Sequence, residues 1–362
     1  MRVDRLTLKD FTVFGEADFE FSPGLNVLIG ANGTGKSHVL KVLYSVLRAM
    51  GAARTDAETG RSVLARDLRV WDKVFPVFRP EPASRADLGQ GAYHSLTRRG
   101  AKDLHLEATG DFGEVMLDVK AGAVPLEGWE VVPPGGHTVF VPASEVLSIY
   151  PGFIAAYERR ELSFDETFRD LCVDLSANPL RSVSPAALAE LVAKLDEAVG
   201  GKTVLRGERF YVSVSEDWLL EAPMLAEGLR KLASIAHLIR NGSLAEKSAL
   251  FWDEPETNLN PKLVTVVAKL LLDLAGAGVQ VFIATHDYLL TNELSVAAEY
   301  GTPEAQAAKP RFFCLGRSGR EPVTVQWADA VADLVSNPIL EEFAAHYDRQ
   351  QKLFAQAGAP KE

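Results

Sequence analysis

The chain has 362 residues with 38 Lys+Arg against 49 Asp+Glu, a formal net charge of −11, 47% hydrophobic residues and 9% aromatics. That is an ordinary globular composition, and the acidic balance argues against an extensive, non-specific grip on nucleic acid while leaving room for one local basic groove. Cys172 and Cys314 are too few for a disulfide framework and stand in no metal-binding spacing, so both read as small core hydrophobes in a reducing compartment.

No uncharged apolar run approaches the roughly 18–20 residues needed to cross a bilayer. The opening residues MRVDRLTLKDF carry charge at once, where a signal peptide needs an apolar stretch, so the chain is expected in the cytoplasm and off the membrane. Arg2–Leu8, Ala17–Phe21 and Leu25–Ile29 predict three strands, with a Ser22-Pro23-Gly24 turn before the third. A glycine-rich loop follows, then Val39, Leu43, Val46, Leu47 and Met50 at helical spacing, with Gly51 as the stop signal. From Arg54 to Gly136 the pattern is mixed and turn-rich; its clearest element is a hairpin, Leu104–Thr109 and Val115–Val119, across Gly110-Asp111-Phe112-Gly113. Thr138–Val141 reads as a short strand, and Pro151 to Asn241 as a helical stretch interrupted near Gly200–Val214. Ala249–Trp252 and Val279–Ala284 read as buried strands flanking a helix that Asn260-Pro261 opens as N-cap and N1. Phe312–Leu315, Val323–Trp327 and a polar helix over Ile339–Phe354 complete the chain.

Three segments carry chemistry. Gly30-Ala31-Asn32-Gly33-Thr34-Gly35-Lys36-Ser37 matches G-x-x-x-x-G-K-[ST] between a strand and a helix. Glycines let such a loop wrap a phosphate with its N–H groups and the helix N-terminus turned inward. Lys36, read as a solvated loop lysine, would reach the β- and γ-phosphates, and the Ser37 hydroxyl would ligate Mg²⁺. Next, Ala249–Trp252 ends in Asp253-Glu254-Pro255-Glu256, where Asp253 is suited to hold Mg²⁺ and Glu254 to polarise an attacking water. Third, Phe282-Ile283-Ala284-Thr285 delivers His286 at another strand end, beside the expected γ-phosphate.

These residues resemble the ATP-binding-cassette class of P-loop ATPases, in its RecF/SMC-like and overcoming-lysogenization-defect-like branch. They look closest to compact AAA-type ATP-binding proteins of bacterial anti-phage and toxin–antitoxin operons. The resemblance implies an α/β P-loop ABC-type fold: a mixed, β-rich nucleotide-binding lobe from residues 1–145 and 245–362, with a helical signature lobe over 146–244 inserted. It also implies ATP and Mg²⁺ as ligands, Glu254 as catalytic glutamate, Asn258 in the D-loop and His286 as switch histidine. The required signature segment falls on Met224–Lys231, with Ala226, Glu227 and Gly228 facing the γ-phosphate of another subunit and a side chain at Gly228 standing in the gap between them. Ala226 stands where the familiar form has Ser, and Glu145 stands where a glutamine loop is expected. The stretch between Lys36 and Asp253 is too aperiodic for a long coiled-coil arm, and no nuclease motif follows His286.

The implied assembly is a head-to-tail homodimer with ATP at its interface, which controls a separate nuclease or toxin effector in antiviral defence. A RecF-like DNA clamp is the alternative, for which the chain offers only short basic groups, Arg98-Arg99 with Lys102 and Arg159-Arg160. A transporter motor is a second alternative, disfavoured by the lack of a serine-rich signature.

Overall fold

The three strands expected ahead of the glycine-rich loop form, but they divide between two sheets. In this computed structural model, residues 1–58, 66–80, 95–119, 136–215 and 217–358 are described. Strands β1 (Val3–Lys9) and β2 (Glu16–Glu20) pair antiparallel, whereas β3 (Leu25–Gly30) leaves for the central sheet. Helix α1 (Lys36–Glu58) follows the loop directly. It does not stop at Gly51. A helix-interior glycine costs only about 1 kcal/mol against alanine, too little to end a helix whose preceding turns bury Val39, Leu40, Leu43, Val46 and Leu47.

A second correction is α2 (Arg66–Phe78), which forms inside the segment read as turn-rich. Val70, Trp71, Val74 and Val77 are buried along it at helical spacing, although Pro76 lies in its last turn. The hairpin forms as expected: β4 (Leu104–Gly110) and β5 (Gly113–Val119) pair from Leu104↔Val119 to Gly110↔Gly113. β4 also pairs with β1, giving a four-stranded antiparallel sheet in the order β2-β1-β4-β5. Residues 59–65, 81–94 and 120–135 of this turn-rich stretch lie outside the described residues.

After β6 (Thr138–Val141) come three helices, α3 (Phe153–Glu158), α4 (Glu166–Leu175) and α5 (Ala186–Val199). The expected interruption is a small sheet of β7 (Lys202–Arg206), β8 (Arg209–Ser213) and β9 (Leu219–Glu221), and α6 (Glu227–Arg240) then closes the helical segment. β10 (Ala249–Asp253), α7 (Pro261–Gly276) and β11 (Gln280–Thr285) follow as expected, with the Asn260 side chain accepting from the Leu263 N–H at 3.0 Å. Two helices not read from the sequence, α8 (Tyr288–Glu299) and α9 (Pro303–Ala308), precede β12 (Arg311–Gly316), β13 (Thr324–Ala328) and α10 (Pro338–Gly358).

The central sheet runs β13-β12-β3-β11-β10-β6, parallel except for β13. Period-two alternation divides its side chains between two cores. Phe251, Phe282, Ala284 and Phe313 pack with α1 and the antiparallel sheet. Leu250, Trp252, Val281, Ile283 and Phe312 pack on the other face with α4 to α7. Both faces are therefore covered, and the strands read as near-continuous apolar runs.

Polar contacts tie α4 to α1. Lys41 Nζ lies 2.7 Å from Asp165, Tyr44 donates to Asp170 at 2.5 Å, and Arg48 pairs with Asp174 at 2.9 Å. At the far end of α4, the His237 Nε2 of α6 meets the Leu175 carbonyl at 3.0 Å, and Asn241 donates to the Asp174 carbonyl at 2.9 Å. The helix that begins at Lys36 and the helix that begins at Glu227 are thus held against a common third helix. Cys172 and Cys314 are buried free thiols, pushed up to about 12 and about 11 by burial, as their reading as core hydrophobes expects. Among the described residues no helix is long and apolar enough to cross a membrane.

Candidate nucleotide site

Parallel strands deliver their carboxyl ends to one edge of a sheet, and β3, β11 and β10 are adjacent, so three chemistry-bearing segments distant in sequence meet there. The loop leaving β3 fits a phosphate-wrapping cradle. Gly35 has φ +89°, and a Cβ on it would stand 2.7–2.8 Å from Val13 and Phe14, so both conformation and space exclude a side chain. Lys36 is not solvated as expected: it is 6% exposed, and its Nζ donates to the Gly30 carbonyl at 2.7 Å and the Ala31 carbonyl at 3.1 Å. Burial lowers its pKa, opposed by the Asp253 and Glu254 carboxylates. Asn32 and Gly33 form the exposed crest, Thr34 donates to the Ala31 carbonyl at 2.8 Å, and Arg317 donates to the Gly33 carbonyl at 3.4 Å. A cavity of about 460 Å³ opens beside this crest, between Asn32, Arg317 and Glu341.

Ser37 and Asp253 meet directly, Oγ donating to Oδ1 at 3.0 Å. Burial raises the Asp253 pKa, with the Ser37 hydrogen bond opposing. A part-buried pair of hard oxygens fits Mg²⁺, which keeps waters and phosphate oxygens as its other ligands and needs no protein cage. Among the described residues no group of three or more His, Cys, Asp or Glu stands together as a metal cluster. Glu254 has φ +47°, a conformation rare for a side-chain-bearing residue, and its N–H donates to the Ala284 carbonyl at 2.9 Å. Its Oε1 stands 3.2 Å from His286 Nδ1, and its Oε2 accepts from Thr257 at 3.2 Å. The expected phosphate loop, acidic pair and histidine are therefore all brought together.

The signature segment behaves differently from expectation. Ala226 is the exposed N-cap of α6, with no side-chain cap, and Glu227 occupies the first turn. Gly228, however, faces its own chain: a Cβ there would stand 2.2 Å from Leu259 Cδ2 and 3.0 Å from the Asn258 carbonyl oxygen. The expectation that a side chain at Gly228 would project into a gap between subunits is thereby overturned; the glycine allows α6 to pack against the segment carrying Asn258. Asn258 is exposed with φ +63°. Glu145 is engaged by Arg230 at 2.9 Å and accepts from the Ser148 amide at 3.1 Å, so it is not a free substitute for a glutamine loop.

Two residues escaped the sequence reading. Lys231 is 1% exposed and its Nζ donates to the carbonyls of Thr257 at 3.0 Å and Glu254 at 3.4 Å, which holds α6 to the acidic turn. Its pKa is lowered by burial, against the fields of Glu227 and Glu256. Glu256 is 8% exposed and accepts from the Thr285 hydroxyl at 2.7 Å. A lysine at a helical position and an acid after a proline both look solvated in sequence; only a burial pattern around them could have pointed inward.

Residues 156–292 match the family model described as "AAA domain, putative AbiEii toxin, Type IV TA system", and residues 5–56 match a second, described as "AAA domain". The chain is 41% identical over 63 residues to the DNA replication and repair protein RecF of Enterobacter sp. (strain 638), and equally to that of Salmonella typhi. Each match covers 17% of this chain and 17% of the relative, so the chain spans under a fifth of the length of these curated proteins. Among solved structures it is similar to the SMC head domain from Thermotoga maritima, at TM-score 0.47 and 15% identity, covering 91% of this chain and 99% of that one. It is also similar to the Smc head of Pyrococcus furiosus bound to the C-terminal domain of ScpA, at TM-score 0.49 and 14% identity, covering 94% and 99%. The strand order and the three segments at one sheet edge carry the fold assignment independently of those superpositions.

Proposed function

We propose that the chain, whose residues 156–292 and 5–56 match AAA-domain family models, is an ABC/SMC-like AAA-type ATPase that binds ATP with Mg²⁺ and hydrolyses it at a site that a second copy completes. The observation that carries the reading is the convergence of Lys36, the Ser37–Asp253 pair at 3.0 Å and the Glu254–His286 pair at 3.2 Å on one sheet edge. In this reading the loop amides from Asn32 to Ser37 and the Lys36 ammonium bind the β- and γ-phosphates. Ser37 and Asp253 would hold Mg²⁺, which supplies positive charge against the phosphate oxygens. Glu254 orients the attacking water, and His286 holds the γ-phosphate once it leaves the Glu254 carboxylate. The lobe over 146–244 presents Ala226 and Glu227, at the N-terminus of α6, to the partner's nucleotide, while Gly228 packs α6 against the segment carrying Asn258.

The biological output we favour is control of a separate nuclease or toxin effector in a cytoplasmic defence or toxin–antitoxin system. The matching family model with its toxin-system description supports it. The RecF similarity supports a second reading, a DNA-maintenance ATPase, equally well. Exposed Arg99, Arg159 and Arg160 are candidate phosphate contacts for it, whereas Arg98 is already paired with Asp10 at 2.7 Å.

The test is sizing with ATP and Mg²⁺ of Glu254→Gln, which keeps shape and loses the carboxylate. It should accumulate an ATP-bound dimer with little turnover. Ala226→Glu, which places an acid on the exposed signature N-cap, should bind ATP yet fail to dimerise, and mixing it with Lys36→Ala should recover activity through one intact composite site. Full turnover by Glu254→Gln would assign the water to another residue, and normal dimerisation of Ala226→Glu would remove the shared site. Retention of duplex DNA by the ATP-bound dimer, weakened by salt, would select the second output.

A further inference from the structure

Glu256 is a carboxyl group buried without full compensation. Its Oε1 accepts from the Thr285 hydroxyl at 2.7 Å, while its Oε2 is buried and has no hydrogen-bond partner. A half-satisfied interior carboxylate costs stability, and an apolar side chain of similar volume would be cheaper there. The ammonium groups of Lys36 and Lys231 lie within its field but do not bond it. What it holds is specific. Thr285 is fully buried, and its Oγ1, fixed as donor toward Glu256, accepts the Asp287 N–H at 3.0 Å. Asp287 in turn caps α8, its Oδ1 accepting from Leu290 at 2.7 Å. The backbone on both sides of His286 is therefore set by one relay that begins at Glu256, two residues beyond Glu254 in the neighbouring strand's exit turn.

We propose that Glu256 is a positioning residue for His286: by orienting the Thr285 hydroxyl it fixes the turn from which the imidazole reaches Glu254. The group that sets Glu254 against His286 thus comes from Glu254's own turn, so displacement of either segment moves both partners of the pair. A fixed imidazole matters because misplacement of a reacting group by about 1 Å can cost about 100-fold in rate.

The kinetic arm of the test rests on the ATPase reading; the spectroscopic arm does not. In Glu256→Leu, kcat should fall about 10- to 100-fold with KM for ATP within about twofold, the signature of a lost positioning contact. Glu256→Gln, whose amide oxygen still accepts from Thr285, should stay within about threefold of the parent. Thr285→Val should reproduce Glu256→Leu, and the double variant should be no worse than either single one, as members of one relay require. Independently of turnover, the His286 imidazole resonances in ¹⁵N-histidine-labelled protein, assigned through His286→Asn, should move in Glu256→Leu and Thr285→Val and stay in place in Glu256→Gln. If Glu256→Leu does not fold, Thr285→Val carries both arms. Unmoved His286 resonances together with parental kcat would overturn the proposal, as would equal loss in Glu256→Gln and Glu256→Leu. Shifted resonances in a protein that hydrolyses no ATP would instead remove the ATPase reading and leave the positioning role.

Discussion

Gly228→Ala is the substitution whose outcome most directly separates a glycine kept for a partner from one kept for its own chain. The added Cβ would lie 2.2 Å from Leu259 Cδ2, 3.3 Å from its Cγ and 3.0 Å from the Asn258 carbonyl oxygen. Leu259 can rotate its terminal methyl, but the backbone oxygen and branched Cγ require α6 or the Asn258 turn to shift by several tenths of an ångström. Overpacking of that kind costs about 1–3 kcal/mol. At about 2 °C per kcal/mol for a chain of this size, the melting temperature should fall by about 2–6 °C. Calorimetry on ligand-free protein measures it without any partner or nucleotide. Leu259→Ala removes the opposing atoms, so Gly228→Ala/Leu259→Ala should lose less than the sum of the two single changes, by about 1 kcal/mol or more. A Gly228→Ala protein as stable as the parent, with strictly additive behaviour in the double variant, would mean that Gly228 does not face Leu259.

Lys231→Met keeps the aliphatic bulk and removes the ammonium that serves the Glu254 and Thr257 carbonyls. Unfolding by denaturant should report a loss of about 1–3 kcal/mol, and an unchanged midpoint would show that this buried ammonium contributes nothing. His237 is held neutral by burial, its pKa lowered from 6.5 to about 4. Between those values the unfolded chain takes up a proton that the folded chain refuses, so stability falls as pH falls, by up to about 1.4 kcal/mol per pH unit. His237→Gln should flatten the drop in stability between pH 6.5 and pH 5 by about 1–2 kcal/mol, and equal slopes in the two proteins would assign the acid sensitivity elsewhere.

The central sheet was legible because its strands are short apolar runs bounded by turn residues, and the site because its loop, acids and histidine each stand where a strand ends. What the sequence concealed follows from single residues. Gly51 carries a stop signal that four buried turns of α1 override. Pro76 and the neighbouring polar residues masked α2, although Val70, Trp71, Val74 and Val77 had the spacing to reveal it. Charge hid Lys231 and Glu256, since polarity predicts solvent unless a partner is known, and their partners are carbonyls and a hydroxyl brought near by the fold. Gly228 was read correctly as a close approach, but the approaching group is Leu259 of the same chain. A one-dimensional pattern reports that a backbone must be approached and is silent on what approaches it.

Titration calorimetry of ATP with Mg²⁺ into the parent protein and Lys36→Ala tests the nucleotide site most directly. Lys36 donates to the Gly30 and Ala31 carbonyls, so folding should be checked by melting temperature, and stability should fall by about 1–3 kcal/mol with the protein still folded. Loss of a charge-assisted phosphate contact should then weaken binding at least about tenfold, since charged hydrogen bonds contribute about 1.5–3 kcal/mol. The parent should bind one ATP per chain saturably, and the folded variant should show that weakening. Equal affinity in both proteins would mean that Lys36 does not meet the nucleotide.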